Sequence, residues 1–243
     1  MRRGLFITAL LLSAGLAVWL FRHLLRPSLL PPKPRTVEQV LNVLGPSVEH
    51  RLKPAFKNAH VPFPPSEIAL LAFKVEMRID LYAEDPSGTL CFILSWPILA
   101  ASGTAGPKQR EGDRQVPEGF YRIELLNPNS RYHLSLRVNY PNAADIARAK
   151  EDGRELSDLG GDIMIHGGAA SIGCLAVGDP AIEDLFVLAA RVGLDNIRLI
   201  ISPCDFRSSS TLPPQACGAP PDLYMRLQNE LMKFAPAENV APH

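Results

Sequence analysis

His166 and Cys174, eight positions apart in DIMIHGGAASIGCLAVGD (residues 162–179), are the pair in this chain best suited to covalent chemistry. A thiol is a poor nucleophile until it loses its proton, and a nearby imidazole can take that proton and later return it. The second ring nitrogen then needs an acceptor to fix the tautomer, and the backbone carbonyl of Gly167 or Gly168 is the expected one. Both glycines let the chain turn where other residues resist. Gly173 leaves room for its own N–H, beside that of Cys174, to face a developing oxyanion. The plainer reading makes His166 a satisfied core histidine and Cys174 a small buried hydrophobe. The glycines and the position at the end of a strand weigh towards catalysis.

A serine nucleophile is a second reading, because Ala169 to Gly173 resembles G-x-S-x-G with alanine in first place. A nucleophile elbow needs a strand directly before the serine, and here the apolar run stops five residues too early. Ser171 is therefore expected to hydrogen-bond within the loop. A metal site drawing on His166, Cys174 and either His133 or His60 has no supporting spacing. Nothing in the sequence calls for a cofactor.

The elements around the pair can be read from periodicity. Ile163 to Ile165 is a short buried strand that delivers His166. Asp179, with Pro180 behind it, is the expected N-cap of a helix that ends at Gly193. Upstream, Phe73, Val75, Met77 and Ile79 alternate with polar residues, which predicts one half-buried strand running on from Ile68. Asp85 to Gly88 is a turn, and Thr89 to Trp96 the returning strand. Further strands are expected at 120–126, 132–138 and 196–202, with a turn at Asn127–Ser130. Helices are expected at 142–150 and 222–234, and also at 36–51, where Gly45-Pro46 breaks the pattern into two short pieces. Strands in the middle with helices appended predict a β-rich α+β domain.

The 243 residues carry 25 basic and 25 acidic side chains, so no charge excess points to nucleic acid. Arg2 and Arg3 precede an apolar run at 4–21, an export signal or an inner-membrane anchor. The expected organisation is a signal or anchor at 1–26 and a proline-rich tether with short helices at 27–67. A catalytic domain at 68–207 and a C-terminal loop and helix at 208–243 complete it. Cys204 and Cys217 bracket a Ser/Pro-rich loop that a disulfide could close in an oxidising envelope. Cys91 is expected to be a buried thiol.

The motif His166-Gly167-x(3)-Ser171-x-Gly173-Cys174 resembles the signature of the YkuD-type L,D-transpeptidase catalytic domain, in its YafK-like branch. Gly106-Pro107-Lys108, Glu111-Gly112-Asp113, Pro117 to Tyr121, and the stretch from Asn127-Pro128 to Asn142 extend the likeness over roughly Ile68 to Arg207. The resemblance implies a β-rich L,D-transpeptidase fold with N- and C-terminal helices packed on it. It implies that Cys174 attacks a carbonyl in a peptidoglycan stem peptide and holds it as a thioester. The carbonyl belongs to the L-centre of a diaminopimelate or lysine residue. His166 would move the proton, Gly167 would orient His166, and Gly173 would serve the oxyanion hole. Ser171, Lys108 and Asp113 would touch substrate, on or beside a loop that also carries Arg110 and Arg114. Attack by an amine would make the protein a transferase, whereas attack by water would make it an amidase able to release a wall-bound lipoprotein. A catalytically silent wall-binding module is the remaining alternative. Two departures stand out: the His–Cys spacing is short for the family, and Ala176 occupies a position where many members have arginine.

Overall fold

The computed structural model describes residues 33–208 and 221–236. The chain divides into two compact units, residues 1–34 and 35–243, and almost everything described belongs to the second. The predicted anchor at 4–21 and the partner Cys217 of the predicted disulfide lie outside the described residues. No helix among the described residues is long and apolar enough to cross a membrane.

A nine-stranded mixed sheet forms the domain. Its strands are β1 (Ile68–Phe73), β2 (Arg78–Glu84), β3 (Leu90–Pro97), β4 (Ala100–Ala101) and β5 (Gly119–Ser130), followed by β6 (His133–Val138), β7 (Met164–His166), β8 (Leu175–Ala176) and β9 (Ile197–Ser202). They lie in the order β3-β2-β1-β9-β5-β6-β7-β8-β4. Only β1–β9 and β7–β8 pair in parallel. Among the described residues four α-helices join them: α1 (Val37–Asn58), α2 (Ala143–Glu151), α3 (Asp179–Val192) and α4 (Pro221–Leu231).

β1 reads as an unbroken apolar run because both of its faces are buried. Ile68, Leu70 and Ala72 enter a core shared with α1 and α3. Ala69, Leu71 and Phe73 enter a second core, closed by Leu223, Leu227 and Leu231 of α4. The fold is thus the expected β-rich α+β domain with helices packed on its sheet.

Four local expectations need correction. The alternation from Ile68 to Asp80 is two strands, not one, because Lys74 to Met77 makes a turn with Met77 at φ 52°. Val75 at the tip is exposed while Lys74 and Asp80 are buried, so ion pairing overrides the polar-out pattern there. α1 runs unbroken through Pro46 and Pro54, which lie on its exposed side, where water can take the carbonyls they leave free. Its buried stripe of Val40, Val48, Leu52 and Phe56 holds it to the core. Asn127–Ser130 is not a turn but the end of β5, with the reversal at Arg131-Tyr132. Cys91 is half-buried rather than buried.

Candidate active site

β7 and β8 set the site. Ile165 pairs with Leu175 and His166 with Ala176, and Ile165 and Leu175 point into the first core. Side chains alternate along a strand, so His166 and Met164 face the other way, and Cys174 sits in the bend immediately before Leu175. The parallel register therefore delivers histidine and cysteine from adjacent strands, the one at the end of β7 and the other at the start of β8.

His166 is held from two directions. Its Nδ1 lies 2.6 Å from the carbonyl oxygen of Gly167. A carbonyl can only accept, so Nδ1 carries the proton and Nε2 keeps its lone pair. The ring also stacks on Tyr132, with centroids 4.5 Å apart and planes at 27°. Burial lowers the imidazole pKa, opposed by the bond to Gly167, so the ring is neutral at neutral pH.

Gly167 is fixed by space rather than by its backbone angle. A Cβ there would sit 2.5 Å from an Asp179 carboxylate oxygen and 2.6 Å from the Tyr132 carbonyl. That carboxylate accepts the Gly168 N–H at 2.9 Å. Asp179 is consequently not the helix cap. Gly178, at φ 80°, starts α3 without a side-chain bond, and Asp179 turns back to brace the histidine loop.

Cys174 is half-buried, its Sγ 3.7 Å from the carbonyl oxygen of Asp162. Burial raises its thiol pKa most. A bond from the Met164 backbone and the Lys108 charge lower it, while the Asp162 charge raises it. No hydrogen bond joins sulfur and imidazole. The resting pair is thiol and neutral imidazole. Alkylation of Cys174 by iodoacetamide is expected to rise with pH about a midpoint above the roughly 8.5 of a free thiol. An inflection below pH 8 would mean a pre-formed ion pair.

Ser171 ties the cysteine loop together. Its Oγ accepts from the N–H groups of Gly173 at 3.3 Å and Cys174 at 3.1 Å, and donates to the Cys174 carbonyl at 2.6 Å. The Ser102 N–H lies 3.3 Å from the same oxygen. Ser171 thus braces its own loop. Gly173, at φ 127°, can serve an oxyanion only when its N–H leaves Ser171. Ser171→Ala is expected to lower stability by about 1–3 kcal/mol, read as a melting shift, because it leaves part-buried donors unpaired. An unchanged melting temperature would contradict the bracing role.

The Lys108 charge reaches the thiol, but its ammonium is bonded to Asp113 at 2.7 Å and to the Arg110 carbonyl at 2.8 Å. The Asp113 carboxylate also accepts from Gln109, Arg110 and Gln115 N–H groups. Asp113 thus holds its own loop together. His133 bonds Glu183 at 2.9 Å and does not join the site. Sequence reasoning missed Tyr132 as the platform for His166. The signal was an aromatic residue in the turn beside the strand next to β7, visible only once pairing is known. A groove of about 840 Å³ lined by Leu52, Trp96, Leu99 and Pro180, among others, reaches neither Cys174 nor His166.

Residues 87–196 match the model of the YkuD family, the L,D-transpeptidase catalytic domain. This part of the chain is similar to the YkuD family. The Escherichia coli (strain K12) protein YafK, itself only provisionally named an L,D-transpeptidase, is 39% identical over 124 residues. That alignment covers 50% of this chain and 46% of YafK, so the chain spans about half the length of the curated relative it matches. Among solved structures, the helical cell shape determining protein Pgp2 from Campylobacter jejuni is 20% identical, with a TM-score of 0.46. That match covers 65% of this chain and 55% of Pgp2. L,D-transpeptidase 1 of Mycobacterium tuberculosis is 12% identical, with a TM-score of 0.32, covering 56% and 62% of the two chains. The YkuD match spans both His166 and Cys174.

Proposed function

We propose that the protein is a cysteine acyl transferase acting on peptidoglycan stem peptides in the cell envelope. The observation that carries this reading is the delivery of His166 and Cys174 by the adjacent strands β7 and β8 within a YkuD match. His166 Nε2 takes the thiol proton as Sγ bonds to the substrate carbonyl carbon. Collapse of the tetrahedral adduct breaks the C–N bond, and the imidazolium gives its proton to the departing amine. A thioester remains on Cys174. An acceptor amine then attacks the thioester, loses its proton to His166, and releases the thiol. The Gly167 carbonyl holds the ring in the reactive tautomer throughout, and the Gly173 and Cys174 N–H groups turn from Ser171 to the oxyanion.

Water in place of the amine makes the same site an amidase, the reaction that frees a wall-attached lipoprotein. The test is incubation of purified muropeptides with and without a D-amino acid, read by mass. An exchanged product that appears only with the amine supports transfer. Cleaved product regardless of the amine supports hydrolysis. Unchanged muropeptides in both would overturn the proposal. Export, and anchoring through residues 4–21, belong to the same proposal; extraction of the full chain from membranes by detergent but not by salt is the expected outcome.

A further inference from the structure

The sheet face that carries His166 continues across the neighbouring strands. On β6, Arg137 stands opposite Met164 and Ser135 opposite His166. On β5, Leu125 stands opposite Arg137. Directly paired residues share a face, so one row runs Leu125, Arg137, Met164, and Cys174 lies in the bend just before Leu175 on the next strand. The row is open: Leu125 is 47% exposed and the Arg137 side chain 38%. Two strand spacings put the α-carbons of Arg137 and Cys174 about 10 Å apart.

Arg137 is unlike the structural arginines of this protein. Arg207, for comparison, spends its donors on Asp205, Asp80 and the Tyr82 hydroxyl. Arg137 has a carboxylate on each side, Glu124 at 2.8 Å from Nε and Asp162 at 3.3 Å from Nη2. Both contacts are ion pairs, and neither is aligned as a hydrogen bond. Asp162 in turn offers its backbone carbonyl to the Cys174 sulfur. The Arg137 guanidinium is thus held by ion pairs to two exposed carboxylates, beside the Met164 position of β7, with no aligned hydrogen bond to either.

We propose that Arg137 is the carboxylate-binding residue of this site, gripping a free carboxyl group of the peptide whose carbonyl meets Cys174. This rests on the acyl-transfer reading and adds a specificity residue to it. A planar guanidinium matches a carboxylate with two parallel N–H···O bonds. The Glu124 and Asp162 side chains are 45% and 79% exposed, so both can swing into water when a substrate carboxylate arrives. Such exposed pairs contribute little to stability and yield readily. Leu125 and Met164 flank the guanidinium and would take the aliphatic part of the same residue.

The test is binding, which needs no turnover. A stem tetrapeptide, and versions with each carboxyl amidated in turn, are titrated into Cys174→Ala protein, with and without Arg137→Ala or Arg137→Lys. Arg137→Ala is expected to weaken the acid peptide about 10- to 100-fold and to leave one amidated peptide unchanged. Arg137→Lys, a point charge without the fork, should recover part of the loss. Equal losses on all peptides, no loss, or no binding of any peptide to Cys174→Ala protein would overturn the proposal. Acid-selective binding lost with Arg137→Ala, in a protein whose wild type turns over no muropeptide, would sink the acyl-transfer reading alone.

Discussion

Lys74→Met is expected to destabilise the domain by about 3–5 kcal/mol, the cost of leaving one partner of a buried ion pair alone. Lys74 Nζ lies 2.9 Å from Glu118, with side chains 5% and 0% exposed. It also donates to the carbonyls of Gly106 and Val116, both at 3.0 Å. Glu118 in turn accepts from the Gly106 N–H at 2.8 Å and from the Tyr224 hydroxyl at 2.7 Å. One ion pair therefore ties the β1–β2 turn, the Lys108 loop and helix α4 to the sheet. Removing the ammonium strands a carboxylate that cannot reach water. For a domain of this size the melting temperature should fall by about 10 °C. Adding Glu118→Leu should recover much of the loss, since two apolar residues no longer bury an unpaired charge. A single mutant as stable as the parent would show that the pair is not buried as described.

The second large effect concerns His166. Burial holds the Cys174 thiol up and the imidazole pKa down, so little thiolate exists before substrate arrives. Acylation then depends on proton transfer to Nε2 in the same step. His166→Gln should slow acyl-enzyme formation by about 10²–10⁴-fold at neutral pH while leaving the fold intact. The rate left in the variant should rise with pH, as the thiol ionises without help. The parent should lose rate only as pH falls through the lowered imidazole pKa, where protonated Nε2 can no longer accept. A variant of undiminished rate would mean that another group takes the proton.

Much of this site could be read along the chain, because its signals are local. A strand that stops at His166, turn glycines and a cysteine near a helix start all follow from neighbouring residues. Gly167, however, is required by the approach of Asp179 and Tyr132, which lie distant in sequence. The same holds for Asp179, whose type and position fit a helix cap but whose carboxylate is used across the loop. Ser171 was recognisable as a loop residue, though not as the hydroxyl on which the Gly173 and Cys174 amides converge.

The sheet order was not legible at all. The parallel pairing of β1 with β9, which joins residues 68–73 to 197–202, depends on chain ends brought together by packing. Lys74 shows the physical reason for the misread strand. Its alternation with apolar neighbours mimics a solvent face, yet its partner Glu118 is far along the chain. Arg137 escaped notice for the same reason, since its place near Cys174 exists only through two strand pairings.

On the proposed reaction, Cys174 becomes covalently bonded to the acyl half of a stem peptide. Intact-protein mass spectrometry after brief mixing with a tetrapeptide muropeptide, quenched in acid to preserve thioesters, tests it directly. The expected result is an added mass equal to the peptide less its departing D-amino acid. That mass should map to Cys174, vanish on hydroxylamine treatment, and be absent in Cys174→Ala. Turnover of the muropeptide with no adduct at any mixing time, or undiminished turnover by Cys174→Ala, would contradict the account.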